Sequence, residues 1–265
     1  MTAWLIGLDV DGTLVFEDET FSPGVVEAVA RVRDAGHEVT LATGRSWVTA
    51  GRFLDELGIA PEYVVCSNGA VTMRRTADGY ERWHVETFDP RAVLGLLAER
   101  LSEARYMVEL ADGERLYTDV IGEWALENAR QVSFDELSAQ EVSRVVVVSP
   151  RHDEADFQRL VREVGLDEVS YAIGWTAWLD IAPHGVDKGT ALERVRAARE
   201  HDGARVFVAG DGRNDIGMFG WAQAVGGRAV AMGQAPDEVK AAATETTASV
   251  EQGGLAVALE TIPAM

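Results

Sequence analysis

The first pattern along the chain is a short apolar run, Ala3-Trp4-Leu5-Ile6-Gly7-Leu8, with no helical spacing. Such a run reads as a buried parallel strand. It leads into Asp9-Val10-Asp11-Gly12-Thr13. Ser22-Pro23 then reads as a helix start, with Val25, Val26, Val29 and Val32 at helical spacing and a stop near Gly36. Glu38–Ala42 is a second strand and Thr43-Gly44-Arg45 closes it. Ser46 is placed to cap a helix running to about Gly58, and Tyr63–Cys66 is a third strand ending in Ser67-Asn68-Gly69. Alternating strands and helices of this kind predict a parallel sheet with right-handed crossovers.

The pattern changes in the middle of the chain. Val71-Thr72-Met73 and Glu81–Val85 flank Asp78-Gly79, a hairpin signal. Pro90 opens a helix to about Ala104. Tyr106–Leu110 and Arg115–Thr118 read as strands around Asp112-Gly113, and Val145–Ser149 as another. Glu154–Val164 has an amphipathic, helical pattern, and Val169–Ile173 and Trp178–Ile181 read as strands. Hairpins mixed with helices predict a separate α+β unit. Alternation resumes after Pro183: a helix over Lys188–Glu200, a strand over Arg205–Ala209, a helix over Ile216–Gln223, and a short strand within Gly226–Met232. Helices then begin at Pro236 and Gly253. The expected organisation is an α/β core in two pieces, 1–85 and 184–265, interrupted by an α+β domain over 86–183.

Composition narrows the classes. At 265 residues and 47% hydrophobic, the chain can bury one large core or two smaller ones. Its formal net charge of −20 repels polyanions, which argues against nucleic acid and anionic membranes as partners. It leaves room for a small phosphorylated molecule, because a bound cation can dominate a local site. A single cysteine, Cys66, allows no intrachain disulfide and fits a reducing compartment. No apolar run reaches the length of a membrane span, and the start lacks a basic n-region. The expected location is the cytoplasm.

The chemistry sits at strand ends. Asp9 and Asp11 would lie on one face if the strand continued through them, in the crevice beyond the carboxyl ends of the strands. An EF-hand reading fails, because Thr13 and Leu14 stand where that loop needs an oxygen ligand and glycine. Taken singly, Thr43 reads as a helix cap, Lys188 as a solvated helix residue, and Asp211 and Asp215 as loop or N-cap acids. Their coincidence in one α/β pattern points to a shared site.

At this point a resemblance is plain. Asp9-Val10-Asp11-Gly12-Thr13, Thr43-Gly44-Arg45, Ser67-Asn68-Gly69-Ala70, Asp187-Lys188-Gly189, Gly210–Asp215 and Ala231-Met232-Gly233 follow the order and spacing of haloacid dehalogenase (HAD) superfamily phosphatases. The chain most resembles the Cof-type branch, which has a large cap inserted after the third core strand. The resemblance implies a Rossmann-like core and an aspartyl-phosphate mechanism. It makes Asp9 the nucleophile, Asp11 the proton donor and acceptor, Thr43 a phosphoryl contact, and Lys188 the neutralising cation. Mg2+ would be held by Asp9, the Asp11 carbonyl and Asp211, with Asn214 and Asp215 behind them or near Lys188. Gly44, Arg45 and Asn68 are expected at the substrate, although Asn68 also suits a turn and Arg45 a solvated ion pair.

The implied function is hydrolysis of a small phosphorylated metabolite, a sugar phosphate or similar phosphomonoester, by a monomer or small homo-oligomer. The alternatives are a phosphomutase, or a phospho-acceptor or metabolite-binding protein without catalysis. Cys66 reads as a small buried residue and His184 as a loop cap. Trp175 and Trp178 read as core, with a pocket wall as the alternative. Gln234 departs from the asparagine that the family often carries at that position, which puts any substrate contact of its loop in doubt.

Overall fold

Leu5–Leu8 (β1) is buried at all four positions and is paired on both edges within a parallel sheet. A fully buried leucine or isoleucine contributes roughly 1.5–3 kcal/mol relative to an exposed one, so this strand is a strong anchor. A computed structural model describes residues 3–101, 103–119, 128–149, 156, 159, 169–173 and 178–264. They form two compact units: Met1–Trp83 with Asp187–Met265, and His84–Val186.

In the first unit, Glu38–Leu41 (β2), Val206–Gly210 (β12), Arg228–Ala231 (β13) and Glu245–Thr246 (β14) join β1 in the order β14-β13-β12-β1-β2, every pair parallel. The helix Val25–Asp34 (α1) buries Val25, Val29 and Val32 of the predicted stripe, with Ala28 in place of the half-buried Val26. It starts two residues later than expected. Gly24, in the left-handed region, occupies the cap, and the Ser22 hydroxyl instead donates to the Val250 carbonyl at 2.7 Å.

The third strand, Tyr63–Cys66 (β3), departs from the parallel pattern. It pairs antiparallel with Val71–Thr76 (β4), which is followed by Gly79–Val85 (β5), in a separate three-stranded sheet. A single parallel bridge, Ala42 with Val65, continues the direction of the core. That bridge brings the ends of β2 and β3 together at the site.

The second unit is built on a six-stranded sheet. Arg105–Leu110 (β6), Arg115–Tyr117 (β7), Ala129–Gln131 (β8), Val142–Val148 (β9), Val169–Ile173 (β10) and Trp178–Pro183 (β11) run in the order β10-β11-β9-β6-β7-β8. The helices Arg91–Arg100 (α4) and Phe134–Ser138 (α5) pack Leu94, Leu97 and Leu137 with Val108, Val145, Val147 and Leu179. The alternate positions carry buried charge: Glu109, Arg115, Arg144 and Asp180. Arg144 holds Asp180 through two hydrogen bonds, 2.8 and 2.6 Å. Trp178 packs against Met107 and Val146 on this face. The expected Glu154–Val164 helix and Trp175 lie outside the described residues. Strand β8 and helix α5 carry too short a pattern to be read in advance.

Candidate active site

The chain leaves β1 after Leu8 and turns at once. The Val10 carbonyl accepts the amides of Leu14 and Val15 at 2.9 and 3.0 Å, and Gly12 adopts a φ of 69°. A Cβ on Gly12 would lie 2.1 Å from Asp211 Oδ2, so glycine is required both by conformation and by the close approach of the β12 loop. The turn places the two acids in different surroundings. Asp9 is buried, whereas the Asp11 side chain is 51% exposed.

Lys188 is the first residue of the helix Lys188–Ala198 (α6). Asp187 caps that helix, accepting the Thr190 amide at 2.8 Å while its own amide bonds the Thr190 hydroxyl at 3.1 Å. With the helix start pinned, the Lys188 side chain is fully buried rather than solvated. Its ammonium donates to Asp9 Oδ1 at 2.6 Å and to Asp215 Oδ1 at 2.7 Å. Asp215 Oδ2 accepts the amides of Asp211 and Gly212 at 3.0 and 2.9 Å, which shapes the loop after β12.

Thr43 is buried at the end of β2. Its amide donates to the Val65 carbonyl and its carbonyl accepts the Asn68 amide, both at 3.0 Å. Its hydroxyl oxygen accepts the Arg45 amide at 3.1 Å, leaving its hydrogen to donate elsewhere. Ser67, Asn68 and Gly69 follow with φ of 49°, 52° and 99°. Such backbone costs of order 1–3 kcal/mol per non-glycine residue and clusters at functional sites. The turn carries Asn68 against Gly44, where its carboxamide oxygen accepts from Asn214 Nδ2 at 3.0 Å.

Arg45 forms an ion pair at the edge of the site, with the half-exposed Asp11 and Glu19 as its partners. Its side chain is 17% exposed, and its guanidinium carbon lies 5.0 Å from the centre of the Phe53 ring. Sequence reasoning set Gln234 aside, yet it bonds both Gly12 and Asp211. A polar residue just past the end of the apolar β13 was the available signal. His184 is an exposed turn residue and Cys66 is buried.

The electrostatics are those of a site short of positive charge. Oxygens of Asp9, Asp211 and Asp215 lie within 4.8 Å of one another. Burial pushes the Asp9 carboxyl well above its usual range; Lys188 opposes this, while Asp215, Asp211 and Asp11 add to it. Burial and Asp215 push Asp211 up to about 7. Burial disfavours the Lys188 charge, but Asp215 and Asp9 outweigh it and keep the ammonium protonated. Three carboxylates face one ammonium, an all-oxygen set with charge to spare, and it fits a hard divalent cation. Asp215 accepts hydrogen bonds at both oxygens, Asp9 and Asp211 at one each.

Comparison with known proteins agrees with this geometry. The profile of a family described as haloacid dehalogenase-like hydrolase matches residues 6–259. The pyridoxal phosphate phosphatase YbhA of Escherichia coli is 31% identical, over 95% of this chain and 97% of its own. The 5-amino-6-(5-phospho-D-ribitylamino)uracil phosphatase YitU of Bacillus subtilis is 26% identical, over 96% and 95%. In fold, the chain is similar to a HAD subclass IIB sugar phosphatase, with a TM-score of 0.80 at 20% identity, covering 97% and 98%.

Proposed function

The chain belongs to the haloacid dehalogenase-like hydrolases and is a phosphoric monoester hydrolase, and from that premise we propose that it is a Mg2+-dependent cytoplasmic phosphatase of a small phosphorylated metabolite, working through an aspartyl-phosphate on Asp9. The observation that carries this reading is the buried bond between Lys188 and Asp9, 2.6 Å long, beside the Asp211 carboxylate. A carboxylate attacks a phosphate dianion only where positive charge offsets their repulsion. Lys188 supplies part of that charge and holds Asp9 in place.

In the first step an Asp9 oxygen forms a bond to phosphorus as the ester oxygen leaves with a proton from Asp11. In the second, water gives a proton to Asp11 and attacks phosphorus, releasing inorganic phosphate and restoring Asp9. Thr43 donates its hydroxyl to a phosphoryl oxygen. Gly44, Arg45 and Asn68 border the substrate, and Asp215 and Asn214 hold Lys188 and the Asn68 turn. Asp9, Asp211 and the Asp11 carbonyl would hold Mg2+, which when bound supplies charge stabilisation for the phosphoryl group.

Residues 86–183 act as a specificity domain in this reading. One face of its sheet carries Trp178 and Met107 together with the Arg144–Asp180 pair. Relatives named for pyridoxal phosphate and for a phosphoribitylaminouracil support metabolites of that size. The test is inorganic phosphate release from a panel of phosphorylated metabolites, with Mg2+ and with EDTA. Metal-dependent turnover of at least one small phosphomonoester is expected. Absence of turnover across the panel, or full turnover in EDTA, overturns the reading.

A further inference from the structure

Gln234 touches none of the reacting groups, yet it ties three loops of the site together. It follows β13, and its carboxamide nitrogen donates to the Gly12 carbonyl at 2.6 Å and to Asp211 Oδ2 at 3.3 Å. Its carboxamide oxygen accepts the Val250 amide at 3.0 Å. That last bond fixes the direction of the amide. A backbone N–H can only donate, so the oxygen faces Val250 and both nitrogen hydrogens face Gly12 and Asp211.

The two acceptors belong to the loops that supply Asp9 and Asp211. Those loops already meet as closely as they can, since a single methyl on Gly12 would collide with Asp211 Oδ2. Among the described residues, the Asp211 carboxylate takes part in no other hydrogen bond. Asp215 is bound to the Asp211 backbone, not to its carboxylate. The Gln234 amide therefore restricts rotation of the Asp211 carboxylate, which keeps an oxygen to spare for a cation, and it holds that acid in register with the β1 loop.

We propose that Gln234 is a positioning residue for the divalent cation: its amide orients the Asp211 carboxylate and locks the Gly12 peptide against it. This rests on the metal-dependent reading above. Groups that orient metal ligands typically account for 10–100-fold in metal affinity, so the site would form without Gln234 but bind its cation loosely.

The test uses the full-length protein stripped of metal and the variant Gln234→Met, which keeps the chain length and removes the amide. Calorimetric titration with Mg2+, and Mn2+ binding read by paramagnetic resonance, should both show dissociation constants raised about 10–100-fold. Turnover at saturating Mg2+ should return to near the wild-type value. Gln234→Asn, whose amide is one methylene shorter, should show the same weakening and serves if Gln234→Met is insoluble. Unchanged metal affinity in a folded variant, even with a lowered melting temperature, would overturn the proposal and leave Gln234 a purely structural tie to Val250. If the wild-type protein itself bound no divalent cation, the metal-dependent reading would fall, and this proposal with it.

Discussion

Arg45 grips both carboxylate oxygens of Asp11. Its Nε lies 2.9 and 3.2 Å from them, and its Nη2 bonds one of the two, while its Nη1 reaches Glu19 at 2.5 Å. Asp11, the acid proposed for proton transfer, is thus tied to a cation that a second carboxylate also holds. Any movement of Asp11 during turnover must be made with, or away from, Arg45.

That pairing makes the two residues energetically coupled. Arg45→Ala should lower kcat on alkyl phosphates by about tenfold. Asp11→Asn should lower it by about 10²–10⁴-fold, the usual worth of general acid–base catalysis. In the Asp11→Asn background, Arg45→Ala should cost little more. Fully multiplicative losses in the double variant would show that Arg45 acts independently of Asp11.

Asp9→Asn replaces the attacking oxyanion with an amide of the same shape. Phosphate release should fall below detection, with the circular dichroism spectrum and melting temperature kept, because the buried Lys188 retains its bond to Asp215. Turnover near wild-type by the purified variant would remove Asp9 from the mechanism.

The acidic cluster has a stability cost with a definite sign. Burial and Asp215 lift Asp211 to about 7, from an ordinary value of 3.8, and Asp9 is lifted as well. A carboxyl raised on folding binds its proton more tightly in the folded state. Its stabilising contribution is present below about pH 4 and is lost as the pH climbs to about 7. Metal-free protein should therefore lose stability from these groups across that window, and Mg2+ should restore it at pH 7. Asp211→Asn should flatten that part of the profile and raise the melting temperature in EDTA at pH 8, while weakening metal binding. Melting profiles in EDTA that coincide for the two proteins would contradict this.

The Arg144–Asp180 pair should behave as buried ion pairs do. Asp180→Ala leaves a guanidinium in the sheet without its bidentate partner and should cost about 3–5 kcal/mol. Arg144→Met with Asp180→Leu removes both charges and should cost less. Denaturant unfolding of the two variants decides it, and equal losses would show that the charge balance is unimportant there.

Much of the first unit was legible because each strand end carries its own signature. The four-valine stripe, the apolar β1 run and the Asp187-Lys188 helix start all depend on neighbours a few residues away. What was not legible depends on distant chain. That Lys188 is buried follows from two acids 179 and 27 residues away. Asp11 turns outward because Gly12 breaks the strand and Arg45 waits 34 residues on. Gln234 was discounted as a departure from a pattern, yet its extra reach spans Gly12 and Asp211. Strand β3 reads as core from its own residues and joins a different sheet because β4 follows it at once.

The pairing of β1 on both edges also bears on how the chain is made. One of its edges pairs with β2, about thirty residues later, but the other waits for β12 at residues 206–210. At synthesis rates of about 5–20 residues per second, that edge stays open for roughly 10–40 s on the ribosome. An unpaired apolar edge is a template for wrong strand pairing. Residues 84–186, whose sheet draws only on its own stretch of chain, emerge whole within this interval. The nascent protein therefore carries an unfinished core upstream of a sheet whose strands are all present, and its exposure to aggregation is set by the length of the insertion that separates β1 from β12.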